Sequence, residues 1–164
     1  MFHEVLAHIH PILVHFPIVL TITGLGFDIV QTVRYRELHP RRGAWIWTAA
    51  AIAAMFAVAT GPEEDARGNT TLLRDHQLLA DLTLWLVLLY TAWRLWSVWR
   101  GHAPWRKVKL WISLLVTGVA TVTVLGAGYY GGMMVYDQGI GVQVNGKAVN
   151  PPVHHPRHTG GNQG

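Results

Sequence analysis

Apolar residues run in four long blocks, from about Pro11 to Val33, Ala44 to Thr60, Leu78 to Trp99 and Val108 to Tyr130, with charges, prolines and glycines gathered between them. A hydrocarbon core about 30 Å thick is crossed by roughly 20 helical residues rising about 1.5 Å each. The second block is the shortest and is rich in alanine. The pattern predicts an all-α membrane protein, a four-transmembrane-helix bundle over residues 1–133, followed by an irregular extramembrane C-terminal tail over 134–164. Ahead of the first block, Phe2, Val5, Leu6 and Ile9 recur at helical spacing and predict a short interfacial helix. Pro11 suits the first turn of a helix, whereas Pro17 lies inside the span, frees the Leu13 carbonyl and predicts a bend. In the tail, the alternation from Gly141 to Val149 predicts a small hairpin. The rest of the tail is rich in Gly, Pro, Asn and His and is expected to be held by partner subunits.

Composition supports lipid as the solvent. The chain is 51% apolar and its mean hydropathy is positive. The first ten residues lack the basic region and apolar core of a cleavable signal peptide, so the first span is expected to act as its own insertion signal. No cysteine is present, which excludes disulfides, thiolate metal sites, iron–sulfur ligation and covalent haem attachment by this chain. Nine of the thirteen Lys and Arg residues fall in two connections: Arg34, Arg36, Arg41 and Arg42 after the first span, and Arg94, Arg100, Arg106, Lys107 and Lys109 around the join of the third and fourth. Basic residues stay on the cytoplasmic side. The expected place is therefore a bacterial inner membrane with both termini periplasmic, and the charge is read as topology rather than nucleic-acid binding. Trp45, Trp47, Trp93, Trp96, Trp99, Trp105 and Trp111 cluster near span ends as an aromatic belt.

The chemistry centres on ten histidines. His3, His8, His10, His15 and His76 gather at the expected outer ends of the first and third spans. His154, His155 and His158 lie in the tail, and His39 and His102 in the basic loops. A histidine inside a span is costly unless it pairs or ligates, which singles out His15, with His76 entering at similar depth. Two imidazoles from different helices at equal depth are what bis-axial ligation of haem b requires. The face of His15 continues through Val19, Ile22 and Gly26, and that of His76 through Ala80, Thr83 and Val87. Ala80, Thr83 and Gly26 would leave room for a porphyrin, and Val19 would wall it. Alanines of the second span and glycines of the fourth could add room or serve plain helix packing. His10 lies about 140° from His15 round an ideal helix, and is given a supporting contact to the cofactor or a second ligand site. Competing readings are hydrogen bonding of these histidines to loops or headgroups, and a copper, zinc or iron site at His15 and His76. Asp28 is expected to be capped or hydrated near the cytoplasmic end of its helix. Asp81 is read as a proton relay or as an interfacial partner of Arg74.

The run His10-Pro-Ile-Leu-Val-His15-Phe-Pro17-Ile18, followed by Gly-Phe-Asp28, resembles the HP-x-LVHFP opening of a bacterial family of predicted membrane proteins, a domain of unknown function. Gly61 with acidic residues after it, His76, and the run Gly131-Gly132-Met-Met-Val-Tyr136 to Gly139-Ile-Gly141-Val are similar in order, so the resemblance covers about residues 10–142. It departs at Gly61 to Asp65, where the family more often has an apolar pair before an Asp and an aromatic. The resemblance implies haem binding and redox work at the outer face, beside c-type cytochrome or Rieske-like proteins. The expected function is thus a b-type cytochrome-like subunit passing electrons from a quinol pool to a periplasmic carrier, with quinone a further candidate ligand of the same region. The alternatives are a non-catalytic structural or assembly subunit of a respiratory or photosynthetic complex and a His-rich metal-binding membrane protein. No nucleophile–base pair, phosphate loop or metalloprotease helix points to an autonomous enzyme.

Overall fold

The computed structural model describes residues 10–61, 70–140, 142–144 and 147–149. The interfacial helix expected before His10, the acidic loop at 62–69 and the histidines of the tail lie outside the described residues. The apolar blocks become four helices: α1 His15–Tyr35, α2 Ala44–Ala59, α3 Thr70–Trp99 and α4 Lys107–Tyr136. A helical turn from His10 leads into α1, so the apolar stretch His10–Tyr35 is long enough to cross a membrane, as are Thr71–Trp99 and Lys107–Tyr136. α2 has 16 residues and falls short of that length. The regular helix of α1 is interrupted at Val14, next to the Leu13 carbonyl that Pro17 cannot bond.

Sequential helices are neighbours, and α1 also packs on α4, which closes the ring. α1 and α3 stand on one diagonal of the bundle and have no backbone proximity; α2 and α4 stand on the other. One end, the basic end, carries the α1–α2 and α3–α4 connections. There Leu38 and Trp105 exchange two backbone hydrogen bonds of 3.0 and 2.8 Å, tying the two loops together. The other end, the histidine end, carries His10, the α2–α3 connection and the start of the tail. The tail begins with a two-residue antiparallel pair, β1 Gln143–Val144 with β2 Lys147–Ala148, where the alternation predicted a hairpin.

Small residues let the helices approach. Ala50, Ala54 and Ala57 of α2 are buried. A methyl group on Gly24 would sit 2.8 Å from the Trp47 ring, and one on Gly126 3.0 Å from Leu79. The aromatic belt divides in two: Trp45, Trp99 and Trp111 are exposed, as a belt requires, whereas Trp47 and Trp105 are core residues, each 1% exposed. Trp105 stacks on Trp93 at 4.1 Å. The outward surface of the bundle is apolar, with Ile12, Phe16, Val30, Val33, Leu89 and Val122 exposed, a surface suited to lipid.

Gly24→Ala should therefore destabilise the bundle by about 1–3 kcal/mol, the usual cost of overpacking. Thermal unfolding in detergent, followed by tryptophan fluorescence, checks it; Gly26→Ala, where an added methyl meets nothing within 4 Å, serves as the silent control.

Candidate functional site

Polar side chains cross the α1–α3 diagonal at both ends. At the basic end, Asp28 of α1 and Arg94 of α3 are completely buried. Arg94 Nη1 donates to Asp28 Oδ2 at 2.7 Å and Nη2 to Oδ1 at 3.1 Å, a bidentate pair. The remaining N–H groups are all used. Nη1 also donates to the Tyr90 hydroxyl at 2.7 Å, Nε to the Pro40 carbonyl at 3.0 Å, and Nη2 to the Arg42 carbonyl. Asp28 Oδ2 further accepts from Trp47 Nε1 and Tyr90 Oη, both at 3.0 Å. Tyr90 Oη is also bonded to Ser113 Oγ at 2.8 Å, so one cluster engages all four helices. The Trp47 and Tyr90 rings meet edge to face at 4.8 Å, and Gly24 is the gap through which Trp47 reaches Asp28. Sequence alone puts Asp28 at a capped or hydrated helix end and Arg94 among the loop charges. Both are corrected: they form a buried ion pair with every guanidinium proton satisfied, as a charge in a dry bundle requires.

A second ion pair clips the loops outside the bundle. Arg106 Nε donates to Glu37 Oε2 at 2.7 Å, and His39 Nε2 lies 3.0 Å from Oε1. The hydrogen bond from Arg106, helped by its charge and by His39, holds the Glu37 carboxyl below its usual range against a smaller opposing effect of burial.

At the histidine end, the residues brought together are His10 and His76, which lie within electrostatic reach of each other. Each ring is half-buried and seated at a glycine. A methyl on Gly131 would lie 3.2 Å from the His76 ring, and one on Gly61 3.8 Å from that of His10. His76 Nδ1 is 2.8 Å from the Ala127 carbonyl, which can only accept, so Nδ1 carries the proton. His10 Nδ1 is 3.2 Å from Thr60 Oγ1. The Thr60 hydroxyl proton is directed at the Phe56 and Ala57 carbonyls, so here too Nδ1 donates. His15 follows the same rule, Nδ1 bonding the Pro11 carbonyl at 2.6 Å. In each ring the hydrogen bond shown is made at Nδ1, and a ring protonated there holds its Nε2 lone pair for a ligand, the tautomer that a ligating histidine needs.

The remaining sequence candidates divide between two faces. His15, Val19 and Gly26 are exposed on α1, and no described hydrogen bond or ring contact joins His15 to His76. Ala80 is half-buried and Thr83 buried on α3, where Thr83 Oγ1 donates toward Thr123 Oγ1 at 2.8 Å and the Leu79 carbonyl at 2.7 Å. Asp81 is exposed. Among the described residues no three His, Asp or Glu side chains gather as a metal site.

Removing one partner of a buried pair leaves an uncompensated charge, so Asp28→Ala and Arg94→Ala should each cost about 3–5 kcal/mol, and the double variant distinctly less than the sum. A double-mutant cycle on thermal or denaturant unfolding measures the coupling. For Glu37 the folded carboxyl is the stronger acid. Its contribution is fully present above the unfolded value of about 4.3 and is lost as pH falls through the lowered folded value. Glu37→Gln should flatten that acid limb relative to the parent in unfolding curves taken from pH 6 downward to about pH 3.

No curated protein and no solved structure matches the chain. A family model does match, over residues 7–144, spanning the four helices and the first strand of the tail. The chain belongs to the DUF2231 family, described as predicted membrane proteins.

Proposed function

We propose that this protein is a b-type cytochrome-like subunit of a bacterial inner-membrane redox complex. At the histidine end His76 and His10 would hold a haem, which would supply one-electron transfer between the quinol pool and a periplasmic carrier such as a c-type cytochrome or Rieske-like protein. The observation that carries the reading is the hydrogen bonding at Nδ1: His76 and His10 each commit that nitrogen to a neighbouring oxygen, which keeps Nε2 for a ligand. A porphyrin brings four equatorial nitrogens of its own, so two histidines suffice, whereas a bare zinc or copper ion asks for three or four protein ligands. A haem with two imidazoles has no open position and supplies one-electron transfer. His10 is put here in the place that depth in the span gives to His15, because His10 is half-buried and His15 is exposed. His15 then presents its free Nε2 at the surface, where a quinol or a partner subunit arrives.

The membrane placement belongs to the same proposal. His76 and Arg94 are 18 residues apart on one helix, about 27 Å at 1.5 Å per residue, close to the thickness of the hydrocarbon core. The two polar ends thus suit the two membrane faces, and α2 would cross as the short fourth span. The basic loops would face the cytoplasm and both termini the periplasm.

The absorption spectrum of reduced, purified protein tests this. A low-spin Soret and α band is expected, lost in His76→Ala and His10→Ala and kept in His15→Ala. Absence of haem from protein isolated with its native membrane partners sinks the reading, and loss on His15→Ala with retention on His10→Ala returns the second ligand to His15. A second reading, a structural or assembly subunit, is favoured by the Asp28–Arg94 cluster, a closed hydrogen-bond network suited to rigid support. It stands if both histidine variants leave the activity and cofactor content of the complex unchanged.

A further inference from the structure

Two ionisable side chains stand on the outward, apolar surface of the bundle: His15 of α1 and Asp81 of α3, both exposed. Asp81 is set between the exposed Leu78 and Leu82 with Trp85 one turn on, and His15 lies beside Phe16 with Val19 one turn on. Among the described residues no hydrogen bond or ion pair reaches the Asp81 carboxylate. His15 bonds the Pro11 carbonyl through Nδ1 at 2.6 Å, which leaves Nε2. A carboxylate on a lipid-facing surface is costly until it is paired. The buried ion pair sets the depth of both groups. His15 is thirteen residues before Asp28 and Asp81 thirteen before Arg94, on helices that both run from the histidine end to the basic end. Each therefore lies about 20 Å from the ion pair along its helix and about 220° round it. The two share one depth and are turned away from the core. Phe16 matches Leu82 in the same way, and Val19 matches Trp85. Because α1 and α3 stand on one diagonal, these faces look out on opposite sides of the bundle, and His15 and Asp81 of one chain do not meet.

From this complementarity we infer that copies of the chain associate head to tail in the membrane, α1 of one copy against α3 of the next, with Nε2 of His15 hydrogen-bonded to the Asp81 carboxylate of the second copy. One proton held between that nitrogen and a carboxylate oxygen makes the bond and leaves the pair without net charge. Copies inserted in the same orientation keep both groups at one depth. A foreign helix carrying a cation could meet Asp81 but would leave His15 unanswered. A second copy answers both, and lays Phe16 and Val19 against Leu82 and Trp85. The contact is heterologous, since each copy uses a different face toward each neighbour. It rests on the placement of the bundle in lipid and not on the haem, for which His15 is not a ligand.

The chain has no cysteine, so Val19→Cys and Trp85→Cys each introduce a single thiol one turn from the proposed pair and leave the pair intact. The two full-length variants are mixed, reconstituted in phosphatidylcholine vesicles at low protein-to-lipid ratio and treated with a short thiol-bridging reagent. A covalent dimer is expected in the mixture and only a trace in either variant alone. Adding Asp81→Ala to both variants should lower the yield about three- to tenfold, the effect of losing one interhelical hydrogen bond in lipid. Exchanging the partners, His15→Asp with Asp81→His, should restore most of it. Absence of the dimer assigns the two groups to another subunit or to lipid headgroups and overturns the inference. A yield that is equal in the single-variant samples, or unmoved by Asp81→Ala, overturns it too. Should either cysteine variant lose its helical circular dichroism, Phe16→Cys with Leu82→Cys makes the same comparison. None of these readouts depends on haem, so failure here and failure of the cytochrome reading are separate results.

Discussion

The bundle is organised by one ion pair. The backbones of α1 and α3 do not approach each other, and in lipid there is little hydrophobic drive to bring any two helices together. Asp28 and Arg94 bridge the gap as a buried bidentate pair, each completely shielded from solvent. The pair reaches the remaining helices through Trp47 of α2 and through Tyr90 to Ser113 of α4. The desolvation of two charges is a heavy cost, and hydrophobic residues of the same volume can be as stable. What such residues would not supply is direction. A bidentate fork with a tyrosine, an indole and two loop carbonyls around it fixes the rotation of every helix about its axis. Because the helices are stiff, a register fixed at the basic end is carried along α1 as far as the break at Val14 and along α3 to His76.

Spans were legible because length and hydropathy are properties of one segment at a time. α2 begins at the expected Ala44, and its end and the later hairpin follow from equally local signals. The ion pair was not legible in the same way. Asp28 lies near the end of its helix and Arg94 within a turn or two of a basic loop, so each has an ordinary local explanation, and nothing local links residues 66 positions apart. A signal did exist: Arg94 is flanked by Leu89, Tyr90, Leu95 and Trp96, and an arginine set in an apolar helix calls for a carboxylate. Trp47 and Trp105 were misplaced for a related reason. Tryptophans near helix ends fit a belt, and only the packing of the loops decides which of them turn inward.

The histidines show the limit of helical geometry. Spacing established that His10 and His15 cannot both face one point, but the choice between them lies elsewhere in the chain. Gly61 and Thr60 make a seat and a hydrogen-bond partner for His10, and Gly131 with the Ala127 carbonyl does the same for His76. The face of His15, Val19 and Gly26, read from the sequence as one wall of a pocket, is an outside surface.

The two polar ends differ in what they leave unused, and the difference separates support from chemistry. At the basic end every proton of the guanidinium has an acceptor and the carboxylate has four donor contacts. Such a network can hold a shape, but it offers no lone pair or proton to a substrate without first breaking. At the histidine end each imidazole is anchored by one nitrogen and free at the other. Ligation requires that division of labour, since an unanchored ring has no fixed direction and a fully bonded ring has no valence to give. The protein thus places its closed network at one end of the bundle and its open imidazole nitrogens at the other, about 27 Å away along α3.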